Sequence, residues 1–113
     1  MSKLVELKIY IKSLDLVKKI YQLIKNNPNL MKDFSLCDQI KRASVSVPAN
    51  ISEGYMRIKK QFQYHLDVSS GSSNEMVTLL TVVFLVYEIK TIELQEEYII
   101  LGKQIISFSN SFH

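Results

Sequence analysis

The side chains that most often carry out reactions are scarce in this 113-residue chain. Cys37 is the only cysteine, which rules out an internal disulfide and fits a reducing compartment. With no second Cys or His close by, its thiol reads as a small buried hydrophobe rather than a nucleophile. The histidines are His65 and His113. Neither stands at the His-x-x-x-His or Glu-x-x-His spacing by which a helix presents two ligands to one metal ion, and His65 reads as a surface or boundary residue. No glycine-rich phosphate loop, serine nucleophile elbow or Cys-x-x-Cys pair occurs. The expectation is a protein without catalytic residues, metal or cofactor.

Charge is the more informative property. Residues 1–60 hold 12 Lys and Arg against 5 Asp and Glu, whereas residues 61–113 hold 2 against 6, so balances of +7 and −4 make up the net +3. A basic surface attracts phosphate by Coulomb steering and counterion release. Lys41, Arg57, Lys59 and Lys60, joined by Lys18, Lys19 and Lys25, are therefore the candidates for holding RNA or DNA by its backbone. The chain has no Trp, and most of its other aromatics are expected in the core, which argues against a platform for stacked bases. The plainer alternative is a set of solvated helix faces. A basic half and an acidic half also suit head-to-tail contact between subunits.

The elements that would position these groups are helical. Only 3 Gly and 2 Pro are present, too few turn residues for a many-stranded protein. Leu14, Val17, Ile20, Tyr21 and Ile24 recur at three- and four-residue steps, giving a first helix over about 5–26. Asn26-Asn27-Pro28-Asn29 ends it, and a linker follows to Asp33 or Ser35. Ser35, with Asp38 three residues on, is expected to cap a second helix over about 35–55. Leu36, Ile40, Ala43, Val47, Ile51, Gly54 and Ile58 form its seam, which keeps register across Pro48, so a kink is expected there rather than an end. Gly54 either closes this helix or permits a close backbone approach.

A third helix, about 60–88, carries Phe62, Leu66, Ser69, Ser73, Met76, Leu80, Val83 and Tyr87 in steps of four and three. Its serine run, Ser69 to Ser73, reads as a close helix crossing; a linker between two domains is the rival reading. A fourth helix, about 93–110, opens with Glu93, Glu96 and Glu97 and buries Tyr98, Leu101, Ile105 and Phe108 or Phe112. The expected fold is all-α, an antiparallel up-and-down four-helix bundle kinked at Pro48, forming one domain over 1–113. The longest apolar-rich stretch, Met76 to Tyr87, is shorter than the roughly 20 residues that cross a bilayer. No secretory signal is evident either, so a cytoplasmic protein without a membrane partner is expected.

One segment is more specific. Arg42, Ser46, Asn50, Glu53 and Arg57 form a second stripe on the Pro48 helix, about 100° around from the apolar seam. By spacing alone it is a solvated surface with a Glu53–Arg57 pair, an interhelical polar network, or a subunit contact. The segment Arg42-Ala-Ser-Val-Ser-Val-Pro-Ala-Asn-Ile-Ser-Glu-Gly-Tyr55 resembles the signature of the small four-helix-bundle proteins encoded in intervening sequences of bacterial 23S ribosomal RNA genes. That group also takes in the accessory variability proteins of diversity-generating retroelements. Gly71-Ser72 with Glu75 and Thr78 is similar to a second family pattern, Gly-Ser-x-x-Glu-x-x-Thr. The resemblance covers about residues 10–110. It implies a four-helix bundle, assembly as a homopentamer, and, in the retroelement branch, nucleic acid or a reverse transcriptase as partner. On this basis Arg42, Asn50, Glu53 and Glu75 are assigned to a structural polar network between the second and third helices. A protein-interaction module that docks a polymerase or reverse transcriptase, with nucleic acid incidental, is the alternative function.

Overall fold

Helix follows helix through the described residues, 2–55 and 57–111, of the computed structural model. The elements are α1 (Ser2–Lys25), α2 (Pro28–Met31), α3 (Phe34–Tyr55), α4 (Lys59–Tyr87) and α5 (Ile92–Asn110). The four long helices form an up-and-down bundle in which α3 and α5 each pack on both α1 and α4. The bundle measures 44 × 21 × 18 Å. At 1.5 Å per residue the 29-residue α4 is long enough to run its whole length. No strand occurs among the described residues.

The breaker at Asn26 to Asn29 acts as expected but is more ordered than a linker. Pro28 opens the one-turn helix α2, where its missing N–H costs nothing. Leu30 on that turn is fully buried and its carbonyl accepts from the Cys37 Sγ at 3.1 Å. Cys37 is thus the buried small side chain that its isolation suggested, and burial pushes its thiol up, away from the thiolate. The cap of α3 differs from the Ser35 reading. The backbone N–H of Leu36 donates to Asp33 Oδ1 at 3.2 Å, so Asp33 caps the helix from one residue before it begins. Its other oxygen accepts from the Tyr87 hydroxyl at 2.6 Å, which ties the start of α3 to the end of α4.

The core face of α1 is rotated from the one read in the sequence. Ile9, Leu16, Ile20 and Ile24 point inward with Ser13, while Leu14 and Tyr21 are exposed. On α3, Ile40, Ala43, Val47, Ile51 and Gly54 are buried along the expected seam, and the helix continues through Pro48 with a bend. The seam stops sooner than expected, since α3 ends at Tyr55 and Ile58, before α4, is 69% exposed. Gly54 serves close approach. A Cβ there would lie 2.7 Å from Phe62 Cδ1 and 2.9 Å from His65 Cβ.

The serine run of α4 lies within an unbroken helix. Ser69 and Ser70 are buried and donate across the bundle in opposite directions, Ser69 to the Val47 carbonyl on α3 at 2.8 Å and Ser70 to the Gly102 carbonyl on α5 at 3.2 Å. Small side chains let both neighbours come close, and their hydroxyls answer carbonyls that bulkier residues would not reach. On α5, Tyr98, Leu101, Ile105 and Phe108 are buried as expected, whereas Phe112 lies outside the described residues.

Candidate nucleic-acid interface

The cations singled out in the sequence fall into separate places. Lys18 and Lys25 on α1 and Lys41 on α3 line one shallow depression with Tyr21, Gln22, Ile24 and Met31, and no acidic residue lines it. Three positions far apart in sequence meet there because α1 and α3 pack side by side. The Lys41 ammonium stands 5.3 Å from the centre of the Tyr21 ring, within cation–π range. Arg57 and Lys60 line a second depression at the α3–α4 turn, with Ile58, Gln61, Tyr64 and His65. The two depressions share no residue, and α3 runs on from Lys41 for fourteen residues, about 21 Å of helix, before it ends at Tyr55. Lys59, the first residue of α4, is exposed beside the second.

Two of the cations are already engaged. Lys19 turns to α5 and reaches Glu97 Oε1 at 3.2 Å, with Asp15 at 3.4 Å. Lys12 meets the same Glu97 oxygen at 2.6 Å. This double pairing, led by the Lys12 hydrogen bond, holds the Glu97 carboxyl below the usual carboxylate range, and Glu97 in turn holds the Lys19 ammonium charged to higher pH. Lys19 is thereby a clamp between α1 and α5 rather than a member of either depression. Arg57 bonds Glu53 one turn back, and its guanidinium holds that carboxyl below the ordinary range.

The polar contacts between α3 and α4 involve a different set from the one assigned by resemblance. Asn50 is in it: its Oδ1 lies 3.0 Å from His65 Nδ1, and its Nδ2 donates to the Ser46 carbonyl at 2.9 Å and Ser46 Oγ at 3.0 Å. Ser46 Oγ continues to Ser72 Oγ on α4 at 2.9 Å. Arg42 instead faces solvent near Asp38 on its own helix at 3.9 Å, and Glu53 holds Arg57. Glu75 is exposed, with no hydrogen bond or ion pair among the described residues. Ser46 stands with Asn50 on the stripe read from the sequence, whereas His65 and Ser72 on α4 were not legible as its continuation, because the turn that folds α4 back on α3 sets that pairing. Tyr21 and Tyr64 are exposed among cations, at 43% and 65%, two aromatics that the core does not take up.

Among the described residues no group of three or more His, Cys, Asp or Glu is placed to hold a metal ion. No helix formed by them is long and apolar enough to cross a membrane. The sequence profile of the 23S rRNA-intervening sequence proteins matches residues 5–111. The chain belongs to that family. No curated protein and no solved structure matches it. For a 23S rRNA-intervening sequence protein, the matched span takes in α1 from residue 5 onward, the other three long helices, the two basic depressions and the Asn50 network together.

Proposed function

We propose that this protein is a cytoplasmic, non-catalytic accessory protein of one domain that assembles with its own copies and holds RNA or DNA by the phosphate backbone. The observation that carries the reading is the depression where Lys18, Lys25 and Lys41 converge around Tyr21 with no acid among its lining residues. Phosphate contacts of this kind fix position without reading sequence. Arg57, Lys59 and Lys60 supply a second basic patch beyond the end of α3, while Asn50 and Glu53 are engaged within the bundle and Arg42 and Glu75 face solvent.

Replacing Lys18, Lys25 and Lys41 together by Gln tests this. Binding of unrelated duplexes should weaken to a similar degree, and the log–log salt slope should become shallower by up to about 0.9 for each phosphate no longer neutralised. The triple change of Arg57, Lys59 and Lys60 to Gln should act in the same direction. Helical content should hold, because these side chains lie off the apolar seams. Unaltered binding in both triple variants across the salt range removes the basic depressions as the site.

A second reading, docking of a protein such as a polymerase or reverse transcriptase, is favoured by one observation. The last turns of α4 expose Phe84, Leu85 and Val86 at 50%, 69% and 61% with no charged residue between Met76 and Tyr87. Uncharged exposed helix surface of this extent marks protein contact. Family resemblance to homopentameric relatives makes a further copy of the chain the first partner to test for it.

A further inference from the structure

Tyr21 stands outside the core among cations. The inward face of α1 is filled by Leu16, Ile20 and Ile24, and Tyr21, beside Ile20 in the chain, is left 43% exposed. Lys18 precedes it by three residues and Lys25 follows it by four, so the two lysines flank the tyrosine on one side of the helix, a turn away in each direction. Along the axis they are about 10 Å apart. Lys41 comes from α3 and places its ammonium over the ring, 5.3 Å from the centre. None of the three lysines makes an ion pair among the described residues, and no acid lines the depression. The second depression offers less, because Tyr64 lies there beside Arg57, whose charge Glu53 already engages.

We infer that Tyr21 is a stacking residue for an unpaired base, which makes single-stranded nucleic acid the ligand of the first depression. The inference rests on the nucleic-acid reading above. An aromatic ring among cations matches a nucleotide in both of its parts, since the base is a flat π surface and the phosphates on either side of it are anions. Lys18 and Lys25 lie to either side of Tyr21 along α1, as those two phosphates lie to either side of a base along the strand. The Lys41 ammonium takes one face of the ring, and the exposed surface of Tyr21 is what remains for a base. A base paired and stacked inside a duplex cannot reach that surface without being extruded, whereas an unpaired base can. Stacking tolerates any sequence because every base has a π face, which agrees with backbone contacts that carry no base information.

The test is fluorescence anisotropy at one salt concentration with three labelled ligands of equal length: an oligothymidine strand, the same sugar–phosphate strand without bases, and a fully paired duplex. The parent should bind oligothymidine about five- to thirtyfold more tightly than the baseless strand, the lower part of the range for one stacked base. Tyr21→Leu should lose that preference while holding the baseless strand and the duplex as the parent does. Tyr21→Phe, which keeps the ring, should bind like the parent. NMR of the unaltered protein with labelled tyrosine does not depend on the Leu variant folding: the Tyr21 ring signals, assigned by their absence in Tyr21→Phe, should move upfield with oligothymidine and not with the baseless strand. Equal affinity of the parent for those two strands, unmoved ring signals, or a Tyr21→Leu variant that binds oligothymidine as the parent does overturns the inference while leaving backbone binding in place. A loss in Tyr21→Leu that is equal for all three ligands overturns it too, since the ring then only supports Lys41. A parent that binds none of the three removes the nucleic-acid reading itself and puts protein docking in front.

Discussion

Two glycines of opposite character show how far a single atom matters here. At Gly54 a methyl group would meet Phe62 Cδ1 at 2.7 Å and, more seriously, His65 Cβ at 2.9 Å, an atom that moves only if α4 moves. Gly54→Ala should therefore lower stability by about 1–2 kcal/mol, the overpacking cost exceeding the helix-propensity gain. At Gly71, on α4 and exposed, nothing lies within 4 Å of the added atom. Gly71→Ala should raise stability by about 0.5–1 kcal/mol. Thermal melting of both variants checks the pair, and equal shifts would contradict the close approach of α3 and α4. Asp33 supplies a pH dependence of known sign. The Tyr87 hydroxyl and the Leu36 N–H hold its carboxyl below the ordinary 3.8, so its stabilising contribution is complete above that value. It disappears as the pH falls through the lowered folded-state value. Melting temperatures between pH 6 and pH 2 should fall less steeply at the acid end for Asp33→Ala, which starts from a lower plateau.

Among the helices, α3 most rewards a direct experiment. Pro48 removes the N–H that would bond the Ser44 carbonyl, yet the helix continues and buries residues of its seam on both sides of the bend. Next to the bend Ser69 donates to the Val47 carbonyl, so α4 is pinned where α3 changes direction. Pro48→Ala should keep the far-ultraviolet helical signal while altering the melting temperature or the assembly. If neither changes, the bend does not depend on the proline. The same helix shows what a sequence can and cannot reveal. Its inward face was legible because every buried position from Ile40 to Gly54 repeats at helical spacing, and the α4 seam was legible for the same reason. The rotation of the α1 face was not, since Leu7, Ile11 and Leu14 repeat at helical spacing as well as Ile9, Leu16 and Ile20 do, and only packing chooses between two apolar stripes. Asp33 as the cap was hidden behind Ser35, an equally good capping residue two positions later. Of the site, the cations were legible as charges. Their division into two depressions, and the diversion of Lys19 to Glu97, depend on which helices become neighbours.

For the whole molecule, the unused stripe of α1 is the feature that a solitary bundle leaves unexplained. Leu7, Ile11 and Leu14 are 52%, 55% and 43% exposed and follow one another at i, i+4 and i+7, so they form one continuous apolar line on the outside. The last turns of α4 offer a second uncharged surface, and the two lie in segments of opposite charge balance, the first in the basic half and the second in the acidic half. A contact between unlike surfaces is heterologous, and it either closes into a ring or grows into a filament. Closure fits the homopentamer implied by the family resemblance. Light scattering of the parent should then give a discrete mass near five times the 13.1 kDa protomer. Placing charge in the stripe by Ile11→Lys with Leu14→Lys should lower that mass toward one protomer, because burying an unpaired ammonium costs several kcal/mol. The melting of the isolated protomer should change little, since both positions are exposed within it. A fall in mass with helical content retained would locate the assembly surface on α1. A parent of protomer mass at micromolar concentration would exclude the ring, and a double variant with the parent's mass would leave the apolar line of α1 free for some other partner.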